Sequence, residues 1–269
     1  MWLRVLTAAV TLPLFLGALW AGGPVFTGLS ALLAGIGFWE YSQMWRRQGR
    51  AVPAGLGAAL AAALVLTAGW QGPPGLVATL TAAALAILAV QVLGYRRYTA
   101  ADMGLTLAGV VYVGWLFAHF PLLRERPGDL RPLLFAFLIT WVSDTSAYFV
   151  GRALGRRKLA PDLSPGKTVA GAAGGMILAA LAGALGASSL LAGVAPVDSR
   201  WLPALGTALG AVGAAAGLVG DLAESALKRH VGVKDSGQLL PGHGGVLDRF
   251  DSALFTVPVV YYALLLLGG

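Results

Sequence analysis

Residues 225–251, SALKRHVGVKDSGQLLPGHGGVLDRFD, hold seven ionised side chains, two histidines and five glycines in 27 positions. Hydrocarbon penalises such groups, so a charged cluster set between apolar helices marks a working site rather than decoration. Overlapping its start, Asp221, Glu224, Ser225 and Lys228 recur at i, i+3, i+4 and i+7, which is one stripe of a helix. Two readings fit that stripe: a solvated helix end, or a face with chemistry to perform. Asp248 and Asp251, three residues apart, open the apolar run that follows. Two carboxylate-bearing helix ends joined by a glycine-rich loop suit a hard cation, Mg²⁺ held partly by substrate phosphates. Pro241-Gly242-His243-Gly244-Gly245 lets the backbone turn tightly and approach a ligand. Arg229, Lys234 and Arg249 supply cations there, and backbone N–H groups can cradle phosphate oxygens. His243 has no companion at metal-ligand spacing, so phosphate contact or loop ordering is its expected role. His119 is expected to be structural, and His230 has no assigned role.

Two more segments could contribute. Asp144 stands inside an apolar run, TWVSDTSAYFVGR, and shares a helical face with Tyr148 and Arg152. An intramembrane carboxylate facing a polar cavity is the reading preferred over a purely structural hydrogen bond. LSPGKT, Leu163 to Thr168, resembles a phosphate-binding P-loop, but Pro161 stands where that pattern needs glycine and no strand is expected before it. It is expected instead as a turn opening a helix, offering Ser164, Lys167, Thr168 and N–H groups to an anion. Glu40, near the end of an apolar run, is expected as a solvated helix end.

The elements that must position these residues follow from composition. Of 269 residues, 57% are hydrophobic and 12% charged, with a mean hydropathy of +0.75. That is half the roughly 25% charge of a soluble domain, and apolar runs of about 20 residues recur, as membrane-spanning helices require. A chain without alternating ten-residue patterns is helical rather than a barrel. The expected fold class is therefore all-α, a polytopic membrane protein. The absence of cysteine excludes disulfides, thiolate metal ligands and cysteine nucleophiles.

Nine spans are expected, near 3–21, 25–44, 53–70, 75–94, 104–122, 132–150, 169–193, 202–223 and 250–267. Residues 1–130 would carry helices 1–5 and residues 131–269 helices 6–9 with the site, in one membrane-embedded unit. Residues 1–21 read as a span rather than as a cleaved signal. With the N-terminus in the cytoplasm, fifteen of the 19 Lys+Arg fall on the cytoplasmic side, leaving Arg124, Arg126, Arg131 and Arg200 in loops on the other. The net charge of +7 is then mostly topology, and no nucleic-acid partner is implied. Gly206-x3-Gly210 and Gly213-x3-Gly217 fit close helix packing.

Taken together, these residues resemble the bacterial phosphatidate cytidylyltransferases, or CDP-diacylglycerol synthases. The signature is matched by Ser225, Lys228-Arg229, Lys234-Asp235, Pro241-Gly242-His243-Gly244-Gly245 and Asp248-Arg249-Phe250-Asp251. Segments around Asp144, Ser164-Pro165 with Lys167-Thr168, and Gly220-Asp221-Leu222 with Glu224 also look like the family's. Residues 1–130 agree only in being hydrophobic.

The resemblance implies the reaction CTP + phosphatidate → CDP-diacylglycerol + pyrophosphate, with the lipid phosphate attacking the α-phosphorus directly. It implies Asp221 and Asp248 as leading metal ligands, supported by Glu224 and Asp251, for Mg²⁺ with room for a second divalent or monovalent cation. Lys228, Lys234, Arg229 and Arg249 would neutralise phosphates. Ser164, Lys167 and Thr168, with His243, Gly244 and Gly245, would contact nucleotide or phosphate, and Asp144 would order the site or touch the nucleotide. The partners implied are CTP, phosphatidic acid and the lipid bilayer, at the inner (plasma) membrane with the site facing the cytoplasm. Small-residue helix faces permit a homodimer.

A transporter would instead place its charges near mid-span in paired broken helices, whereas here they gather at one side. A related transferase acting on another lipid, such as a polyprenol kinase, is the nearer alternative. The aspartate-rich helix pattern of CDP-alcohol phosphotransferases is absent.

Overall fold

Glycine and proline punctuate this chain, and between them apolar runs fold as helices. The computed structural model describes residues 2–125, 129–237 and 244–268. Five helical stretches among these are long and apolar enough to cross a membrane: Ala54–Leu93, Ala100–Glu125, Arg131–Leu154, Val169–Leu190 and Ser199–His230. The fold is that of an all-α membrane protein with one small exception, described below. The chain forms two compact units, Met1–Glu125 with Lys228–Phe250, and Arg126–Leu227 with Asp251–Gly269. Residues 228–250 thus group with the N-terminal helices.

The first unit begins with α1 (Trp2–Ala21) and α2 (Gly23–Arg46). Gly22 between them and Gly23 at the start of α2 both have positive φ, 61° and 49°, which only glycine adopts cheaply. After α3 (Ala54–Leu93) come α4 (Ala100–Gly109), a π-helical segment Val110–Trp115, and α5 (Leu116–Glu125), continuous with one another. Within α3, Gly72 has non-helical torsions (φ 69°, ψ −158°) just before Pro73 and Pro74, and the helix kinks there.

Arg124, expected in a loop, is instead a buried residue of α5. Its Nε donates to the Leu19 carbonyl at 2.8 Å and its Nη2 to that of Trp20 at 3.2 Å. The adjacent Glu125 accepts the Gly23 N–H at 2.7 Å. A cation closes the C-terminus of α1 and an anion the N-terminus of α2, each matching the helix dipole it faces. Asp102 does similar work: it forms a capping box with Thr99 and accepts the Ala51 N–H at 3.0 Å, pinning the chain that precedes α3.

The position of α2 is set by Phe38, which is fully buried. A Cβ on Gly57 of α3 would overlap the Phe38 ring, and one on Gly109 would lie 2.8 Å from it. The Tyr41 hydroxyl donates to the Leu105 carbonyl at 3.0 Å. These contacts leave α2 little freedom to turn or slide.

The second unit contains α6 (Arg131–Leu154), strands β1 (Lys158–Ala160) and β2 (Ser164–Thr168), α7 (Val169–Leu190), a 3₁₀ turn Ser199–Trp201, the helix α8 (Leu202–His230) as far as Leu227, and α10 (Ala253–Gly268). The strands pair antiparallel, Lys158 with Thr168 and Ala160 with Ser164. This hairpin is the departure from an all-α chain, and it corrects the expectation of a turn at 164–168 with no strand before it.

Glycine packs α7 against α8. A Cβ on Gly210 would meet the Ala180 Cα at 2.7 Å and the Ala179 carbonyl carbon at 2.8 Å; Gly206 and Gly183 approach each other backbone to backbone. Gly213 and Gly217 meet Thr256 of α10, whose hydroxyl donates to the Gly213 carbonyl at 3.0 Å. Gly→Ala in an exposed helix interior gains roughly 1 kcal/mol from propensity, whereas forced overpacking costs about 1–3 kcal/mol. The Gly210→Ala substitution is therefore expected to lower the melting temperature in detergent. Gly104→Ala, where nothing lies within 4 Å of the new methyl, should leave it unchanged or raise it. Equal behaviour of the two variants would contradict this packing.

Candidate active site

In the second unit, α6, β2 and α8 converge three charges. Asp221, half-buried on α8, pairs its Oδ2 with the Lys167 ammonium of β2. The Ser225 hydroxyl, one turn along α8, reaches Asp221 Oδ1 at 3.4 Å. Asp144 of α6 stands within electrostatic reach of both Asp221 and Lys167, with the Ser252 side chain nearby. Asp144, conspicuous as an acid in an apolar run, thus lies in the electrostatic neighbourhood of Asp221.

Strand β2 carries Lys167 to this place because Thr168 ends the strand and caps α7. Thr168 Oγ1 accepts the Gly171 N–H at 3.1 Å, and its side chain is buried. Ser164 lies half-buried at the other end of β2. Asp251 holds the turn before α10, its Oδ1 accepting the Ser252 N–H at 2.7 Å. Glu224 is fully buried on α8.

The first unit holds a second charged cluster. Asp248, on the short helix α9 (Leu247–Phe250), receives the Lys228 ammonium on Oδ1 at 2.6 Å. Its Oδ2 accepts three further bonds: from Ser236 N at 2.9 Å, Ser236 Oγ at 2.8 Å and Gly245 N at 2.8 Å. Burial pushes the Asp248 carboxyl up, but the Lys228 bond and charge, the Gly245 N–H and the Ser236 hydroxyl outweigh it. The net result is a carboxyl held below the ordinary range.

Gly244 adopts φ 81°, and a Cβ there would lie 2.6 Å from Asp248 Oδ2. Gly244 is thus required by a left-handed torsion and by the Asp248 carboxylate beside it, and Gly245 by Glu40, whose Cδ would lie 2.6 Å from a Cβ there. Lys234, Arg229 and Arg249 lie at the surface. His243 falls outside the described residues.

Glu40 corrects the sequence reading. Expected as a solvated helix end, it is only 5% exposed. Its Oε1 accepts the Val246 N–H at 3.0 Å, and its Oε2 accepts the Leu247 N–H at 3.1 Å and the Ser236 hydroxyl at 3.3 Å. No local motif around Glu40 announces this, because its partners are mostly backbone groups some 200 residues away.

The donor chemistry of the two clusters bears on a cation. Among the described residues no three Asp, Glu or His side chains gather into a cage for a metal ion. Mg²⁺ does not need one, since it takes one or two carboxylates and completes its shell with phosphate oxygens and water. Asp221 has acceptor capacity beyond the Lys167 ammonium: among the described residues its Oδ1 receives only the long Ser225 bond. Asp248 Oδ2 is filled by three donors, so Oδ1 is its oxygen suited to a cation. Each carboxylate, taken within its own unit, therefore fits a divalent ion shared with a phosphate ligand.

The sequence model of the Cytidylyltransferase family matches residues 2–267 of this chain. A phosphatidate cytidylyltransferase of Staphylococcus epidermidis is 38% identical over 265 residues, 97% of this chain and 98% of its own. One of Staphylococcus aureus is 37% identical over 268 residues, with the same coverage. One of Bacillus subtilis is 41% identical over 185 residues, 68% of this chain and 66% of its own.

The depressed Asp248 carboxyl contributes stability that is fully present above the unfolded value, about 3.9, and is lost as pH falls through the lower folded value. The gap in melting temperature between the wild type and Asp248→Asn is expected to stay flat above about pH 4 and to shrink below it. A gap that persisted undiminished at the acid end would contradict this arrangement.

Proposed function

Because the chain belongs to the cytidylyltransferase family, we propose that it is a phosphatidate cytidylyltransferase, converting CTP and phosphatidate to CDP-diacylglycerol and pyrophosphate for phospholipid synthesis. The observation that carries this reading is the near full-length match to relatives of that name. The two aspartate–lysine pairs support it, since they supply the charges that phosphate chemistry requires.

In the reaction, an oxygen of the lipid phosphate attacks the α-phosphorus of CTP. The bond from that phosphorus to the bridging oxygen breaks, and pyrophosphate leaves. The nucleophile is already an anion, so no general base or covalent enzyme intermediate is needed. Catalysis then rests on alignment and on charges fixed before the substrates arrive. Lys167, steadied by Asp221, and Lys228, steadied by Asp248, hold ammonium groups for phosphate oxygens. Lys234, Arg229 and Arg249 draw the triphosphate electrostatically, while Ser164 and the Gly244-Gly245 backbone orient it. Mg²⁺, held by Asp221 and Asp248 with Glu224 and Asp251 in support, would supply neutralisation of the triphosphate and of the leaving pyrophosphate.

The reading includes nine spans, an N-terminus in the cytoplasm and a site facing the cytoplasm from the inner membrane. At 1.5 Å per residue the 40 residues of α3 measure about 60 Å. That is twice the roughly 30 Å of a bilayer core, and the kink at Gly72 supports a division into two spans. Phosphatidate would then enter sideways with its acyl chains still in hydrocarbon, avoiding an extraction cost of about 0.8 kcal/mol per CH₂.

Purified protein in detergent is expected to form CDP-diacylglycerol from CTP and phosphatidate with Mg²⁺, and to stop in excess chelator. Asp221→Asn and Asp248→Asn should each reduce the rate by at least about 100-fold while remaining folded. Wild-type turnover in chelator would remove the cation, and an active Asp→Asn variant would remove that residue's role.

Orientation is tested by single cysteines, which this cysteine-free chain accepts without background. A cysteine in the 152–167 segment should resist an impermeant maleimide in intact cells and react after permeabilisation. Labelling from outside would invert the topology.

A further inference from the structure

Glu40 lies far from every motif in residues 220–251, yet it touches the backbone on which they depend. We propose that Glu40 is a positioning residue for Asp248, fixing the catalytic carboxylate through Ser236 and the Val246–Leu247 backbone. The proposal rests on the reading of Asp248 given above.

The two carboxylates share one hydroxyl: Ser236 Oγ lies 3.3 Å from Glu40 Oε2 and 2.8 Å from Asp248 Oδ2. They also grip consecutive backbone groups. Asp248 accepts the Gly245 N–H, and Glu40 accepts those of Val246 and Leu247. Three successive N–H groups are thereby divided between two acid side chains immediately before Asp248. Rotation of this segment would break bonds to both at once.

Shape reinforces the contact. A Cβ on Gly237 would lie 2.7 Å from Glu40 Cδ, and one on Gly245 would lie 2.6 Å from the same atom. Glycine at both positions lets the chain close around the carboxylate from two sides. Glu40 can serve as a fixed post because α2 is itself held, through Phe38 against Gly57 and Gly109.

The chemistry calls for a carboxylate rather than an amide. The two Glu40 oxygens each face a backbone N–H donor, from Val246 on one side and Leu247 on the other, so an acceptor-only group satisfies both. Glutamine in the same shape would turn an N–H donor toward one of those donors. Groups that orient a functional carboxylate typically cost 10–100-fold when removed.

The test compares Glu40→Gln with wild type and with Asp248→Asn. Steady-state kcat and KM for both substrates, melting temperature, and amide exchange of the peptide covering 244–248 are measured together. Glu40→Gln is expected to keep its melting temperature within a few degrees, and its kcat should fall about 10–100-fold with the phosphatidate KM unchanged. Exchange at 244–248 should quicken in the substrate-free protein.

A wild-type kcat overturns the proposal, as does a loss of activity explained wholly by less folded protein. If Glu40→Gln cannot be isolated folded, Gly245→Ala decides, because its methyl displaces the same contact. It should reproduce the kcat loss, and a fully active Gly245→Ala overturns the proposal. An active Asp248→Asn would instead overturn the underlying site, whatever Glu40 does.

Discussion

A charge taken away from water must be met by an opposite charge or by oriented dipoles, and this constraint orders the whole molecule. Two kinds of solution occur, and they separate by purpose. Glu40, Asp102 and Arg124 are each answered largely by backbone N–H or carbonyl groups, which cannot leave. Asp221 and Asp248 are answered by lysine ammonium groups. Lysine sits on a flexible four-carbon stem and can exchange one anionic partner for another. Charges answered by backbone hold elements in place; charges answered by lysine have a partner on a flexible stem that can move.

Glycine works alongside this pairing. The backbone contact of α7 with α8 through Gly183, Gly206 and Gly210 fixes the helix that carries Asp221. Around Glu40 and Asp248, Gly237, Gly244 and Gly245 serve a different end, letting main chain close tightly on carboxylates. The 38 glycines of the chain therefore belong to at least two classes, one serving helix contact and the other serving polar contact.

Much of this was legible in the residues. Asp144 stands out because an acid in an apolar run is costly, and the Gly-x3-Gly pairs follow from helical spacing. Asp221 and Asp248 are visible as acids at helix ends beside a glycine-rich loop. The hairpin was hidden because Pro165 and Gly166 are poor strand formers and two strands of three and five residues leave no alternating pattern. Glu40 was hidden for a deeper reason. Two of its three partners are peptide N–H groups, which every residue but proline possesses, so no side-chain pattern encodes them. Arg124 gives no sequence signal for the same reason, since its partners are carbonyls.

The wide separation of Glu40 from Val246 and Leu247 also governs biogenesis. Some 206 residues lie between the carboxylate and the first of those amides. At ribosomal speeds of about 5–20 residues per second, synthesis of that interval takes roughly 10–40 s. For that time α2 must wait in the nascent chain with an acid that lacks its native partners. The N-terminal helices therefore cannot finish folding in the order in which they are made; they need a segment delivered some 200 residues later. Whatever receives this chain at the membrane must tolerate, or shelter, an unfinished half.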